Sequence, residues 1–246
     1  MELLEGIKTR KSIRAFKPDP VPKEVLTELL DVARWTPSSA NTQPWEFFVL
    51  TGEVLDRYNH FLIEKVHSGE IWKPCEDPDT AFFATPAKGP YAKRQQKFFK
   101  QVLDLLEPEE GESKMQKWAE ISVSGYDAPT RIIIVADKSA SGWFIFDIGL
   151  ITQTIALAAQ EYGLGTCLLG DAAAFPEELK RIANIPESKR VIIGIAIGYP
   201  DWNNPINDFR TERAPIEKSV TWCGMAEEKG KMLKGENEIE TKEKTS

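Results

Sequence analysis

From Asp147 to Tyr162, Ile148, Leu150, Ile151, Ile155, Ala156, Leu157, Ala158 and Ala159 cover most faces of a helix, with Asp147 read as its N-cap and Gly163 as its stop. A helix with so little polar surface has to lie in the middle of the protein or in a subunit interface. The rest of the chain must be arranged around it. The apolar runs Phe47–Leu50, Ile132–Val135, Gly165–Leu169 and Val191–Ile197 read as strands. Helical spacing appears at Val25, Leu26, Leu29, Leu30 and Ala33. It recurs between Tyr91 and Leu106 through Phe98, Phe99, Val102, Leu103 and Leu106, and again in a short stretch from Pro176 to Ala183.

A length of 246 residues suits one sizeable domain with a full core, or two small ones. The reading adopted is a single domain over 1–225 with a variable insertion at about 60–125, where Pro74, Pro78, Pro86 and Pro90 break the pattern. A Glu- and Lys-rich tail over 226–246 is expected to be solvated or disordered. The net charge of −7 argues against nucleic acid or an anionic membrane as the main partner, because phosphate surfaces demand a positive field. Cys75, Cys167 and Cys223 lie far apart with no CxxC pair, so neither a zinc site nor a disulfide framework is suggested, and no metal is expected. With no basic-then-apolar opening and no long uninterrupted apolar run, the expectation is a cytoplasmic protein.

Two short segments concentrate polar chemistry. Pro37-Ser38-Ser39-Ala40-Asn41-Thr42-Gln43-Pro44-Trp45 joins the first amphipathic helix to the first strand. Pro37 forbids the helix to continue, and Pro44 is expected to hold Gln43 extended. It is either an ordinary capped connection or a turn built to grip something. Upstream, Arg10-Lys11-Ser12-Ile13-Arg14 gathers cations and a hydroxyl in an acidic chain. Guanidinium forks match phosphate oxygens, and Ser12 adds a neutral donor; the alternative is a plain solvated basic face.

Taken together, these segments resemble the nitroreductase family of flavin mononucleotide (FMN) enzymes. The likeness rests on Arg10 to Arg14 with Phe16, the Val21-Pro22 helix entry and the Pro-Ser-Ser-x-Asn-x-Gln-Pro-Trp turn. It also rests on Gly163-Leu164-Gly165-Thr166-Cys167, the strand ending in Gly198-Tyr199-Pro200, and Arg213-Ala214-Pro215-Ile216-Glu217. The resemblance implies an α+β fold, with a mainly antiparallel central sheet flanked by helices, in an interlocked homodimer with FMN at the subunit interface. It implies that Arg10 and Ser12 bind the phosphate, with Arg213 closing over it and Arg210 helping. Lys11 and Arg14 would reach toward the flavin's pyrimidine edge. Pro37 would shape the turn from which Ser38, Ser39, Asn41 and Gln43 contact the ring and ribityl chain, and Leu168, Leu169 and Gly170 would lie against the isoalloxazine.

The activity implied is ping-pong transfer of hydride from NAD(P)H through flavin N5 to a small conjugated acceptor, a nitroaromatic or quinone. Trp72, Phe82, Phe83 and Tyr91, with Trp118 and Tyr126, are the aromatic candidates to line or cover the acceptor site. Two alternatives stay open: oxygen-dependent fragmentation of reduced FMN, and a flavin-binding or sensor protein without turnover. Ile121 to Gly125 offers serines where family members often place a Lys or Asn, and the Glu and Lys of the dehalogenating lid are not found at matching positions. No catalytic side chain is expected. His60 and His67 read as solvated and Cys167 as a buried strand residue, which leaves the bond-making to the cofactor.

Overall fold

The computed structural model describes residues 2–72, 88–140 and 142–224. Phe82, Phe83, Cys75 and the 226–246 tail lie outside the described residues. The helices are α1 (Leu3–Thr9), α2 (Lys23–Ala33), α3 (Gly52–His67), α4 (Gly89–Leu103), α5 (Lys114–Val123), α6 (Gly142–Ala158) and α7 (Pro176–Ala183). The strands are β1 (Glu46–Thr51), β2 (Thr130–Asp137), β3 (Gly165–Leu169) and β4 (Lys189–Gly198). They pair antiparallel throughout, in the order β1-β2-β4-β3, which makes the fold α+β. Chain contacts divide it into a main unit, 1–210, and a short second unit from Thr211 onward.

Strand alternation supplies each face of the sheet with its own core. Ile132 and Ile134 of β2, with Ile195 and Ile197 of β4, meet Leu26, Leu29 and Ala33 of α2 and Ile148, Ile151 and Ile155 of α6. Ile133, Val135, Cys167 and Leu169 face Tyr58 and Leu62 of α3, Trp118 and Val123 of α5, and Leu179 of α7. A register shift between Ile134 and Val135 pairs them with Ile193 and Val191, so Ile192 is extra and lies in the same core as Ile193 and Ile195. The described part of the middle segment joins this packing: Leu62, Val66, Val102, Leu106 and Trp118 are all buried.

Helix α6 begins earlier than the sequence suggests, and Asp147 lies inside it, buried, rather than at its N-cap. The stop is as expected. A 3-10 turn (Ala159–Tyr162) ends at Gly163, whose φ of 68° favours a residue without Cβ. By length and composition, with a mean hydropathy of 1.5, Gly142–Tyr162 matches a membrane span. Here it lies on the sheet through Ile148, Ile151 and Ile155, while Trp143 and Phe146 point outward, 68% and 58% exposed. Helix α5 had no counterpart in the sequence reading, although Ser113 caps it by accepting from the Gln116 N–H at 3.1 Å.

Candidate functional site

The segment after α1 runs beside β3. Ser12 forms a parallel bridge with Thr166, and the Ile13 N–H donates to the Thr166 carbonyl at 2.9 Å. Gly165 permits this approach, because a Cβ there would stand 2.5 Å from Ile13 Cγ1. Farther on, Phe16 bridges Pro200, and the Lys17 N–H donates to the Tyr199 carbonyl at 2.8 Å. Asn207, wholly buried, is the clamp. Its carboxamide oxygen accepts the Arg14 N–H at 2.8 Å, its Nδ2 donates to the carbonyls of Ala15 and Asp201 at 2.8 Å each, and its own carbonyl accepts Lys11 Nζ. Nothing in the sequence singled Asn207 out. Its importance comes from where the Asp201–Asp208 loop returns.

This clamp fixes where the cations point. The Arg14 guanidinium sits over the rings of Phe98, Trp118 and Phe209, at 5.4, 5.8 and 5.7 Å, and donates from Nη1 to the Ser12 carbonyl at 3.4 Å. Its Nε is buried with no hydrogen-bond partner. Lys11 lies 5.2 Å from the Trp202 ring centroid. Arg10 is half-buried, and exposed Arg210 donates to the carbonyl of Thr9 at 3.3 Å, so both guanidinium-bearing residues converge on the end of α1. Arg213 belongs to the second unit, where its Nη1 donates to Thr211 Oγ1 at 2.8 Å.

On β3, Leu168 is 40% exposed whereas Cys167 and Leu169 are buried, and Gly170 opens a 3-10 turn (Gly170–Ala173). Burial pushes the Cys167 thiol above its ordinary range, with nearby Arg14 and Ser12 pulling the other way, so this cysteine is no nucleophile. Trp118 and Tyr126 are core residues, with ring centroids 5.9 Å apart, and burial raises the Tyr126 phenol. Both lie near the Arg14 guanidinium. Tyr91 of α4 is 68% exposed, under the Arg94 guanidinium at 5.9 Å, and the backbone of Trp72 lies in a 3-10 turn (Glu70–Trp72). His60 and His67 are exposed and face Glu64 and Glu120.

The Pro37–Trp45 turn has a different anchor. The Ser39 N–H donates to Asp147 Oδ2 of α6 at 3.0 Å, Ser38 Oγ accepts the Gln43 N–H at 2.9 Å, and Gln43 Nε2 reaches the Asn41 carbonyl at 3.2 Å. Gln43 is not extended. Its φ is 46°, and Ala40 and Asn41 are also left-handed at 49° and 57°. The bond from Ser38 and the closing 3-10 turn (Ser39–Asn41) outweigh the steric preference that Pro44 imposes. Pro37, Ser38 and Ser39 form one wall of a cavity of about 330 Å³, completed by Trp143, Phe146, Asp147 and Leu150.

The chemistry on display is a cationic, donor-rich strip beside β3 and a separate strained turn presenting Ser38, Ser39, Asn41 and Gln43. An orphaned buried guanidinium nitrogen calls for an anionic or strongly accepting ligand, and the donor set suits one that carries a phosphate. The profile of the nitroreductase family matches residues 7–199. The chain belongs to the nitroreductase family. Among relatives, a chloronitrobenzene nitroreductase from Comamonas testosteroni is 31% identical over 222 residues, covering 88% of this chain and 94% of the relative. A 4-nitrobenzoate reductase from Pseudomonas putida is 29% identical, covering 89% and 94%. The solved structure of the FMN-dependent nitroreductase NfnB from Mycobacterium smegmatis in complex with NADPH superposes with a TM-score of 0.74 at 25% identity, covering 90% of this chain and all of that one. The sheet with flanking helices is therefore the nitroreductase fold.

Proposed function

We propose that this chain is an FMN-dependent oxidoreductase that takes NADH or NADPH as reductant and a nitroaromatic, quinone or similar flat conjugated compound as acceptor, each binding in turn. The observation that carries this reading is the cationic strip, Arg10 to Arg14, bridged to β3 at Thr166. The names of the relatives, chloronitrobenzene and 4-nitrobenzoate reductases among them, support the acceptor class.

FMN, when bound, supplies the hydride-accepting and hydride-donating centre. The chain's own residues bind and tune it. Arg10 and Ser12, with Arg210, would hold the phosphate by charge-assisted bonds. Lys11 and Arg14 place positive charge where reduction leaves negative charge, and Arg14 does so from a cage of three rings that limits its rotamers. The exposed Leu168 side chain, with the backbone at Leu169 and Gly170, would lie against the ring. Trp72 and Tyr91 are assigned to the acceptor side.

We further propose a homodimer in which the turn with Ser38, Ser39, Asn41 and Gln43 serves the partner's flavin, and a cytoplasmic location. The exposed rings of Trp143 and Phe146 beside that turn support the dimer, because such apolar area on a central helix calls for cover. The test is anaerobic addition of NADH or NADPH to the purified, FMN-loaded protein. The expected result is bleaching of the oxidised flavin band and its return on adding a nitroaromatic. A band that persists under excess reductant overturns the reductase reading.

A further inference from the structure

Behind the turn that follows β3 lies a charged cluster that the cationic strip does not use. Asp171, in the Gly170–Ala173 turn, has both carboxylate oxygens buried, and neither has a hydrogen-bond partner. Arg131 of β2 is 1% exposed. Its Nη2 donates to Asn59 Oδ1 at 2.8 Å and to the Val123 carbonyl at 2.9 Å, while Nη1 has no partner. Each of the two charges acts on the other, yet no direct N–H···O bond joins them. Buried charges do not persist without hydrogen bonds, and a water with two or more polar neighbours is the smallest group that satisfies donor and acceptor together.

We propose that a bound water joins Arg131 Nη1 to the Asp171 carboxylate, and that this enclosed hydrated pair is the brace positioning the Leu169–Gly170 turn. Both are positioning residues. The brace is one of several contacts on the same turn. The Tyr58 hydroxyl donates to the Ala172 carbonyl at 3.4 Å, the Arg131 guanidinium lies 5.5 Å from the Tyr58 ring centroid, and Gly194 of β4 leaves room for Ala172, whose Cβ would stand 2.8 Å from any Cβ placed there.

The electrostatics give the brace a pH dependence. Arg131 faces Asp171 from β2, Tyr58 from α3, Tyr126 from the loop after α5, Cys167 from β3 and, beyond Cys167, Arg14 from the N-terminal segment. Glu178 of α7 acts on Tyr58. Burial outweighs the nearby Arg131, and the Asp171 carboxyl is pushed up to about 6. A carboxyl raised above its unfolded value gives stability that is present in acid and lost as pH rises through the folded value. Replacing Asp171 with the neutral, isosteric Asn removes that loss.

The test compares the full chain with its Asp171→Asn variant, both saturated with FMN and again with FMN removed, by thermal unfolding from pH 5 to pH 8. The variant's Tm, relative to the parent, is expected to rise by several degrees as pH increases across this range. A difference that stays constant with pH overturns the proposal. Independently of any variant, a high-resolution crystal structure is expected to show a water within hydrogen-bond distance of both Arg131 Nη1 and Asp171; a direct contact or a dry gap overturns it. The link to the cofactor rests on the proposed placement of FMN beside Gly170, and the flavin potential tests that link separately. A raised potential in Asp171→Asn supports both readings. An unchanged potential together with the pH-dependent Tm shift and the bridging water keeps the brace and removes the turn from the flavin's neighbourhood.

Discussion

The cationic strip at Arg10–Arg14 and the turn at Pro37–Trp45 both concentrate hydrogen-bonding side chains but are held by opposite means. The strip is bridged to β3 at Ser12 and clamped by one buried amide, Asn207. Its specificity is stored in side chains. The turn has left-handed backbone at Ala40, Asn41 and Gln43, and one buried carboxylate, Asp147, beneath it. Its specificity is stored in backbone shape, at a cost of roughly 1 kcal/mol or more for each strained residue. Substitutions should therefore act through lost partners in the strip and through altered strain in the turn.

The largest effect is expected at the clamp. Asn207→Ala leaves the Arg14 N–H without a partner and takes one of two donors from each of the carbonyls of Ala15 and Asp201, a loss of about 3 kcal/mol of unfolding free energy in urea titration. A change below about 1 kcal/mol would mean that the strip does not depend on its clamp. Next comes Arg10→Ala, which should weaken FMN binding by about 1.5–3 kcal/mol, on the order of ten- to a hundredfold in Kd, read by quenching of flavin fluorescence. Unaltered affinity would take the phosphate away from this end of the strip.

In the turn, Asp147→Asn removes a charge-assisted bond to the Ser39 N–H and should cost about 1–2 kcal/mol in the same urea titration. The smallest effect has the opposite sign. Ala40→Gly relieves the left-handed φ and should stabilise the chain by up to about 1 kcal/mol, although part of that gain is offset by the freer unfolded chain. If Ala40→Gly instead destabilises, the backbone at this turn is not where strain is kept.

Much of this architecture was legible in advance. The strand at Gly165–Leu169 and the helix at Pro176–Ala183 have the expected bounds, because Gly163 and Pro176 act locally and strongly. The Asp147 reading failed for the opposite reason: a carboxylate before an apolar run reads as a cap, and only the tertiary approach of Ser39 makes it an anchor. Gln43 failed similarly, since the rule for a residue preceding proline ignores a hydroxyl five residues upstream. Helix α5 gives little periodic signal because Lys114, Gln116, Lys117, Glu120 and Ser122 leave few apolar positions in its ten residues. Asn207 and the Arg131–Asp171 pair are long-range features, for which local sequence carries no signal.

The cage around Arg14 has an optical consequence. Trp118 lies 5.8 Å from that guanidinium and is buried, so its emission reports directly on the cation's position. Phe98 and Trp118 come from α4 and α5, the part of the chain that the sequence reading assigned to acceptor choice. Exchanging that stretch will also release the Arg14 guanidinium unless both rings are kept, and a shift in the tryptophan emission will show it before any turnover is measured.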